Sequence, residues 1–540
     1  MAANNRFPDR AAGEDEHEHE QEQDMVDMDE VDEEIAAENE DGDVDMSEPD
    51  DDDDGEHEEL HLVNDSVAYF DTHKDSIFAI AQHPTHPNII ATGGSEGDAD
   101  DAPGKGYILV IPENLGRDDD SRPVLPPSYA ADPAAAAREM ASQKENTQIQ
   151  PAFAIDGHTD SINALAFTLP NGDFLVSGGL DGRLRAYTID AARPSFTFLG
   201  ESQEVPEINW LTPCPSPDFP NTVALGASDG SVWVYTIDPA DAANPLQIVQ
   251  TYFLHTTSCT AGAWTPDGNL LATVDEDSSL YVWDVWGLAA AKGVVGDNGQ
   301  TVVSLTAQDQ RFEVEGGLYS VAVEPRGGYL AVGGAGGAIR IVGLPRISEQ
   351  TAGATPQAGS KAAKAKAKGA GAKTAAGDAQ AGQILAALEV QSDSIETLSF
   401  APASAPVPLL AAGSVDGSIS VFDPSRQFNL RRNIQGAHED FSVVKVEWVK
   451  RPQSGSGAAA AQQQWLLTSC GMDGVVRRWN LQGATPSQHA PNAAVAGLEK
   501  EWRGHRGDGE GGGVLGFVQG VDGKRIITAG DDGLALVFEV

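Results

Sequence analysis

The sequence predicts an all-β protein built from a repeated unit. A short phrase recurs along the chain: small residues, an acid and a glycine, then alternating apolar residues that end in an aromatic. Copies include SGGLDGRLRAY from Ser177, AGSVDGSISVF from Ala412 and TAGDDGLALVF from Thr528. Between the copies lie short runs of alternating apolar and polar residues, separated by Asp-Gly and Gly-Gly pairs typical of strands and tight turns. Such repetition predicts an array in which each unit buries its apolar face against its neighbours.

The strand order within each repeat follows from the same pattern. Each repeat opens with an apolar strand, as in SINALAF from Ser161 and VVKVEW from Val443, and a second strand, a tight turn and the strand of the phrase follow. The strand of the phrase begins near eight positions: Tyr107, Arg183, Ser231, Ser279, Ala338, Ser418, Val475 and Leu534. The first and fifth copies lack the Asp-Gly turn. The sequence therefore predicts eight repeats, with seven as the alternative.

The chain is strongly acidic, and the charge is unevenly placed. The net charge is −49, and residues 1–66 carry 29 acidic and two basic residues. The rest of the chain is also acidic, so we expect it to repel nucleic acid and anionic lipid and to attract cationic proteins. No stretch approaches the ~20 apolar residues that cross a membrane. The N-terminus lacks the apolar core of a secretion signal.

Composition also predicts the domain boundaries and the compartment. Residues 1–64 form a predicted disordered acidic tail, and residues 65–540 form the repeat domain, with insertions at about 112–150 and 345–383. Three cysteines, at Cys214, Cys259 and Cys470, cannot all pair, which favours a reducing compartment. We therefore expect a cytoplasmic protein. The lysine-rich run from Lys361 to Lys373 leaves the nucleus open as well, although a flexible loop is the simpler interpretation.

A set of four polar residues recurs at fixed spacing. His438, Ser469, Asp473 and Trp479 form one copy, and His255, Thr273, Asp277 and Trp283 form another. In both copies the hydroxyl residue precedes the Asp by four positions and the Trp follows the Asp by six. His158, Ser177 and Asp181, and His505, Thr528 and Asp532, keep three members. The pattern resembles the His–Ser/Thr–Asp–Trp hydrogen-bonding set of WD-repeat β-propellers. We interpret it as structural, because buried polar groups must be paired.

The resemblance implies a closed ring of blades. Eight blades in about 400 residues, once the insertions are removed, need about 50 residues each, close to the 40–45 of a WD repeat. The chain ends on a third strand, LALVFEV from Leu534, while SVAYF from Ser66 precedes the first blade and has no blade of its own. We expect the N-terminal strand to complete the last blade, which closes the ring and removes an exposed edge.

Acidic residues recur just before the first strand of six of the eight blades. In a propeller, the loop before the first strand and the turn between the second and third strands open on one face, so these acids predict a ring around the channel mouth. A mouth lined with one sign of charge attracts cationic ligands, and Arg binds carboxylates bidentately. The predicted ligand is therefore a short, extended, Arg-rich segment. The residues predicted to bind this segment are Asp75, Asp160, Glu207, Asp275, Glu276, Glu315, Asp393, Asp440 and Asp531.

The sequence shows no enzyme signature. It contains no phosphate-binding Gly-rich loop between a strand and a helix, no Cys/His cluster with zinc spacing and no serine in a nucleophile-elbow context. We therefore predict a binding protein without catalytic residues, cofactor or metal. This inference rests partly on analogy with other proteins of the fold.

The order of the motifs resembles one WD-repeat family. The acidic tail is followed by VAYFDTHKDSIFAIAQHP from Val67, then QEVPEINWL from Gln203, and the chain closes on KRIITAGDDGLALVFEV from Lys524. This is similar to the fungal ribosome-assembly chaperones dedicated to large-subunit ribosomal protein L-ten (universal protein sixteen), whose animal relative is the angio-associated migratory cell protein. The resemblance implies a monomeric chaperone that captures its client's basic N-terminal segment on the acidic face and escorts it to the pre-60S ribosome. It places Asp160, Glu207, Glu315 and Asp531 on that face.

Two other functions remain open at this point. A histone-binding propeller would suit the acidic charge, but such proteins add an amphipathic N-terminal helix, and residues 1–64 show no apolar stripe. A ubiquitin-ligase adaptor would carry Trp-Asp-x-Arg at the end of a third strand, whereas Trp283-Asp284 is followed here by Val285-Trp286.

Overall fold

The structure, a computed structural model, describes residues 64–97, 102–112, 115, 147–347, 380–450, 465–481, 497–507 and 512–540. The chain divides into two units, residues 1–60 and 61–540, and every described residue lies in the second. The predicted acidic tail and most of both predicted insertions lie outside the described residues.

The described residues form short strands almost throughout, as the alternating pattern predicts. The helical elements among them are a single α-helical turn, α1 (Leu288–Ala291), and two 3₁₀ turns, Ala335–Gly337 and Pro424–Arg426. None of these helices is long and apolar enough to cross a membrane. The strands of the first four blades, preceded by the N-terminal strand, are β1 Ala68–Phe70, β2 Ala79–Gln82, β3 Ile89–Ser95, β4 Gly104–Val110, β5 Thr147–Gln148, β6 Pro151–Ile155, β7 Ile162–Phe167, β8 Phe174–Gly179, β9 Arg183–Asp190, β10 Ser195–Gln203, β11 Ile208–Pro213, β12 Thr222–Ala227, β13 Val232–Ile237, β14 Leu246–Tyr252, β15 Cys259–Trp264, β16 Leu270–Asp275, β17 Leu280–Asp284 and β18 Thr301–Leu305.

The second half of the chain continues the same pattern. Its strands are β19 Leu318–Val323, β20 Tyr329–Gly334, β21 Ala338–Gly343, β22 Ile384–Glu389, β23 Ile395–Phe400, β24 Leu410–Ser414, β25 Ile419–Asp423, β26 Asn429–Ile434, β27 Val443–Trp448, β28 Leu466–Gly471, β29 Val476–Asn480, β30 Leu498–Trp502, β31 Val514–Val518, β32 Arg525–Gly530 and β33 Ala535–Glu539.

These strands form eight sheets, antiparallel except for one parallel pair, β1 with β5, which confirms the eight-bladed propeller over the seven-bladed alternative. Seven sheets have four strands each, in the orders β2-β3-β4-β6, β7-β8-β9-β10, β11-β12-β13-β14, β15-β16-β17-β18, β19-β20-β21-β22, β23-β24-β25-β26 and β27-β28-β29-β30. The eighth contains β31, β32 and β33 and is completed by β1.

The blades form a closed ring around their first strands. The first strand of each blade contacts the first strand of the next, and β31 contacts β2, so that the eighth blade meets the first. Eight clusters of buried apolar side chains lie in the described residues, one between each pair of neighbouring blades. The core is therefore distributed around the ring, as expected when each unit buries its faces against its neighbours.

The N-terminal strand closes the last blade, as predicted. β1 pairs antiparallel with β33, with Ala68 opposite Val537 and Phe70 opposite Ala535. On its other side β1 pairs in parallel with the two-residue strand β5. Phe70 is fully buried in the cluster shared by the eighth and first blades. Both edges of β1 are thus paired, and the ladder of β33 is not left open to another chain.

Candidate functional site

One backbone hydrogen bond, repeated in every blade, defines a common face of the ring. An N–H just after the second strand donates to a carbonyl just before the first strand, at 2.9–3.3 Å. This bond holds the entry loop of each blade against the turn between its second and third strands, at one end of the ring. We call this end the acidic face. The donor and acceptor pairs, in blade order, are Ser95 to Ser76, Leu180 to Ser161, Ser228 to Glu207, Glu276 to Ser258, Ala335 to Gly317, Val415 to Ser394, Met472 to Ser442 and Asp531 to Gly513.

The six predicted entry-loop acids all lie on this face, although not in one register. Asp75, Asp160 and Asp393 immediately precede the accepting residue of their blades. Glu207 is itself the accepting residue. The other two, Glu315 and Asp440, stand two positions before it. The sequence thus places the acids at the correct end of the ring, while their positions along the loops differ by up to two residues.

Four carboxylates on the face are open to a partner. Glu207, Glu276, Glu315 and Asp440 are exposed, and their side chains bond to no residue that the structure describes. They stand on the third, fourth, fifth and seventh blades, so together they reach more than halfway around the ring. Being well solvated when free, they lose little by staying unpaired until a cation arrives.

The remaining acids of the face are partly occupied by local bonds. Asp160 Oδ1 accepts from the Ser161 N–H at 2.6 Å, and Asp393 Oδ1 accepts from the Ser394 N–H at 2.7 Å. Ser76 Oγ lies 2.5 Å from Asp531 Oδ1, to which it donates, and 3.4 Å from Asp75 Oδ1. Each of these carboxylates keeps a second oxygen that takes no part in the bonds named.

Asp275 does not belong to the exposed set, which corrects its assignment to the client-binding face. The residue is fully buried at the end of β16. Its Oδ1 accepts from the N–H of Ser279 at 2.7 Å and of Asp277 at 3.2 Å, and its Oδ2 lies 3.2 Å from His255 Nδ1. Burial alone would raise its pKa, but His255 and Ser279 outweigh burial and hold the pKa of Asp275 below its usual value. It organises the turn and is not available to a partner.

The predicted polar set of the seventh blade forms one continuous chain of hydrogen bonds. Trp479 Nε1 donates to Ser469 Oγ at 2.8 Å, Ser469 Oγ lies 2.7 Å from His438 Nε2, and His438 Nδ1 lies 2.8 Å from Asp473 Oδ1. Because an ionised carboxylate only accepts, Nδ1 carries the ring proton and donates it. Burial lowers the pKa of His438, which keeps the ring neutral. The second and eighth blades repeat the His–Asp contact, at 3.1 Å from His158 to Asp181 and 2.9 Å from His505 to Asp532.

The corresponding set of the fourth blade departs from the prediction. Thr273 Oγ1 accepts from Trp283 Nε1 at 2.8 Å and lies 2.7 Å from His255 Nε2, as expected. The predicted Asp277, however, is exposed, and His255 Nδ1 faces Ser279 Oγ at 2.7 Å together with Asp275. The prediction that Asp277 belongs to the hydrogen-bonding set is therefore wrong, and Asp275 takes that place.

Glycine explains why the two blades differ. In the seventh blade the position two residues after the hydroxyl residue is Gly471, where a Cβ would lie only 2.7 Å from His438 Nδ1. The space beside the imidazole is therefore left for Asp473. In the fourth blade the same position carries Asp275, whose own side chain fills that space and excludes Asp277.

Two features of the face went unrecognised in the sequence. Gln391 takes the histidine position of the sixth blade, where its Nε2 donates to the Ser418 carbonyl at 2.9 Å. Glu396, the second residue of β23, is a further exposed acid on the face. Partial desolvation and, second, the Asp393 carboxylate raise the pKa of Glu396. Alternation alone gave no signal for Glu396, because its strand carries a bulge at that residue.

Metal chemistry has no visible support in the part of the chain that the structure describes. There, no group of three or more His, Cys, Asp or Glu side chains is placed to hold a metal ion. The three cysteines are buried and unpaired, and burial raises the pKa of Cys214 to about 11 and that of Cys470 to about 12. These thiols are accordingly core residues with little thiolate character.

Comparison with known proteins agrees with this architecture. Residues 149–188 and 246–284 match the WD domain, G-beta repeat family. The crystal structure of Chaetomium thermophilum Sqt1 is 58% identical with a TM-score of 0.71, covering 88% of this chain and 98% of that one. The same Sqt1 has been solved bound to the N-terminus of the ribosomal protein L10; that structure is 57% identical with a TM-score of 0.71, covering 88% of this chain and 100% of that one.

A curated relative extends the comparison. The ribosome assembly protein SQT1 of Saccharomyces cerevisiae is 27% identical over 231 residues, 42% of this chain and 43% of the relative. The chain spans about half the length of the curated relatives it matches. The 58% identity over nearly the whole of the Chaetomium protein settles the family. This chain belongs to the Sqt1 family of WD-repeat β-propellers.

Proposed function

We propose that this protein is a dedicated chaperone that binds the basic N-terminal segment of ribosomal protein L10 on its acidic face and escorts it to the pre-60S ribosome. The observation that carries the proposal is the pairing of an open carboxylate face with a relative, 57% identical, that was solved bound to the N-terminus of L10. In the same proposal the protein is a cytoplasmic monomer that performs no catalysis and does not bind nucleic acid directly.

The electrostatics of the face support capture of a cationic chain. Glu207, Glu276, Glu315 and Asp440 present their charges at one end of the ring, where their fields add. An Arg side chain bonds a carboxylate through two parallel N–H groups, so an Arg-rich segment gains both affinity and orientation there. Such binding is fast at low salt and weakens as the ionic strength rises, because exposed charges are screened over about 8 Å at physiological salt.

A chaperone for such a segment needs no catalytic group. Ribosomal proteins carry basic tails that bind RNA, and an acidic platform shields such a tail from other polyanions until it is delivered. The histidines of the recurring polar sets are committed to the buried hydrogen-bond chains of the blades. These observations favour binding over catalysis as the function of the face.

Charge reversal on the face tests the proposal. The test variant carries Glu207→Lys, Glu315→Lys and Asp440→Lys, three exposed acids whose side chains hold nothing together in the described structure. The matched control carries Asp218→Lys, Asp297→Lys and Glu499→Lys, which make the same change in net charge away from the acidic face. Calorimetry with a peptide of the L10 N-terminus should show at least about 100-fold weaker binding for the test variant and little change for the control.

The same titration separates the competing function. A histone H3 tail peptide of equal charge is titrated in parallel at physiological salt. Tighter binding of the L10 segment than of the histone tail supports the dedicated chaperone. Equal weakening of L10 binding in the test and control variants would overturn the assigned face, and preference for the histone tail would overturn the assigned client.

A further inference from the structure

The first strands of the blades share a bulge just inside the acidic face. The residue two positions after the accepting carbonyl is skipped in the pairing of first and second strands in seven blades, as at Asn163 between Ile162 and Ala164. The residue before it is fully buried in every blade. Phe78 holds the same position in the first blade, just before β2. We call these eight residues the collar: Phe78, Asn163, Asn209, Thr260, Tyr319, Glu396, Val444 and Leu515.

Side chains at the collar reach along the rim toward the next blade. Asn163 Nδ2 donates to the carbonyls of Ile208 and Asn209, both at 3.1 Å, and Asn209 Nδ2 donates to the carbonyl of Cys259 at 2.9 Å. Thr260 Oγ1 donates to the carbonyl of Leu318 at 2.6 Å. On the second to fourth blades the collar is thus polar and its side chains hold neighbouring blades together.

The opposite part of the collar is apolar. Val444, Leu515 and Phe78 follow one another on the seventh, eighth and first blades, which are adjacent in the ring. Phe78 is 43% exposed, and Val444 and Leu515 are half-buried. A single exposed apolar side chain is ordinary, but three at equivalent positions of adjacent blades give the charged face an apolar sector of the kind that partners cover. We call this surface the apolar arc.

Acids flank the apolar arc. Ser76, two residues before Phe78, is the point where Asp75 and Asp531 meet. The Asp531 N–H bonds the carbonyl of Gly513, two residues before Leu515. On the seventh blade, Asp440 precedes Val444 by four residues and is exposed. Each of the three blades of the arc therefore carries a carboxylate on the same face.

We propose that the segment bound on this face is defined by an apolar side chain as well as by its charge: a large aliphatic or aromatic residue, flanked by Arg or Lys, packs on Val444, Leu515 and Phe78 while its neighbours pair with Asp440, Asp531 and Asp75. This inference rests on the proposed function and adds a sequence requirement to it. Acids alone would accept any basic chain, whereas apolar side chains on the same face as the acids also select for an apolar residue and so fix the register of the segment. The polar side of the collar has no comparable surface, so the segment lies in one orientation.

The test is a double-mutant cycle on the full-length chain with two peptides. The first is the L10 N-terminal segment, and the second is the same segment with each large apolar residue replaced by alanine and every Arg and Lys retained. The protein variant is Phe78→Ser, and Phe198→Ser, at a phenylalanine 47% exposed on the outer strand β10, is the matched control. The wild-type chain should bind the alanine peptide at least about tenfold more weakly than the first, as expected for one large apolar side chain withdrawn from water.

The Phe78→Ser variant should bind the first peptide several-fold more weakly and lose most of the preference for the first peptide over the alanine peptide. The Phe198→Ser variant should keep that preference. Leu515→Ser serves as the second variant, and a thermal melt of each shows that the fold is kept. Undiminished discrimination by both variants would overturn the inference while leaving the chaperone proposal intact. The charge-reversal variant should lose both peptides; if it loses neither, the proposed function fails instead.

Discussion

Ser76 and Asp531 join the two ends of the ring on the acidic face. Ser76 Oγ donates to Asp531 Oδ1 at 2.5 Å across 455 residues of sequence, and the Ile77 N–H donates to the carbonyl of Gly530 at 3.0 Å beside it. The first of these bonds uses one of the nine carboxylates predicted to bind the client. Asp531 therefore serves both the closure of the ring and the charge of the face.

Because Asp531 has this double role, replacing it should lower the stability of the fold, whereas replacing an exposed acid of the acidic face should not. Asp531→Ala should lower the free energy of unfolding by about 1–2 kcal/mol, since it removes the charged acceptor of the Ser76 hydroxyl. Glu315→Ala removes an exposed carboxylate without such a bond and should change stability by less than about 0.5 kcal/mol. Thermal unfolding of the two variants beside the wild type makes the comparison.

Ser76→Ala completes the cycle with Asp531→Ala. If the bond is responsible, the double variant should be little less stable than Asp531→Ala alone, because both changes remove the same interaction. Additive losses would mean that Asp531 stabilises the junction by some other contact. Client binding should still fall for Asp531→Ala and not for Ser76→Ala, because only the first removes a charge.

The fourth blade offers a second comparison, between two aspartates two residues apart. Asp275→Ala should cost about 2–4 kcal/mol, since it leaves the buried N–H of Ser279 without its acceptor and opens a cavity beside the His255 ring. Asp277→Ala should cost less than about 0.5 kcal/mol, because Asp277 is exposed and accepts only a 3.2 Å bond from Thr256 Oγ1. The order of the two melting temperatures shows which aspartate stabilises the turn. If Asp277→Ala proves the more destabilising change, Asp277 and not Asp275 is the aspartate that supports His255.

These two aspartates show where sequence reasoning stops. The fixed spacing from Thr273 to Trp283 identified the repeat, its strands and its hydrogen-bonding set, because spacing within a tight turn changes little from blade to blade. It could not identify which carboxylate faces His255, because that depends on whether the residue beside the imidazole has a side chain. The choice is steric and local, and a four-residue pattern does not record it.

The collar was unpredictable for a related reason. Strand alternation assigns each side chain to one of two faces, and a bulge inserts a residue that belongs to neither. Glu396 is thus indistinguishable in the sequence from an ordinary strand residue, while the structure places it in the collar. The entry-loop acids, in contrast, could be found because each lies just outside a strand whose start was already clear.

Acidification should destabilise the fold through His73. Burial lowers the pKa of His73 from 6.5 to about 4; its Nε2 bonds Thr92 Oγ1 at 2.9 Å, and its Nδ1 has no partner among the described residues. Well above pH 6.5 His73 is neutral in both the folded and the unfolded chain, so its protonation does not lower the free energy of unfolding. As the pH falls from 6.5 toward 4, only the unfolded chain takes up the proton, so stability falls by up to about 3 kcal/mol.

Thermal unfolding between pH 7.5 and 4.5 measures this dependence. His73→Gln should reduce the slope of melting temperature against pH over that window, although the variant is less stable at neutral pH. Below pH 3.8 a further loss is expected, because bonds from His438 and Arg477 outweigh burial and hold the pKa of Asp473 below its usual value. A slope identical in wild type and His73→Gln would assign the acid sensitivity to other groups.

Closure of the ring by β1 should make the largest single contribution to the free energy of unfolding. Phe70 is fully buried and meets Tyr107 edge-to-face, with ring centroids 5.2 Å apart. Phe70→Ala should cost about 3–5 kcal/mol through the lost apolar contact and the cavity left behind. The same change at Phe198, which is 47% exposed on the outer strand β10, should cost less than about 1 kcal/mol.

A second readout separates loss of closure from simple loss of packing. If β1 detaches from β33, the free edge of the last blade can pair with another chain, so Phe70→Ala should form oligomers in light scattering at temperatures below its unfolding transition. The L10 segment should also bind more weakly, since Asp75 and Asp531 stand on the two blades that β1 holds together. A variant that unfolds earlier but stays monomeric and binds the segment normally until it unfolds would show that β1 fills the core without acting as the closure of the ring.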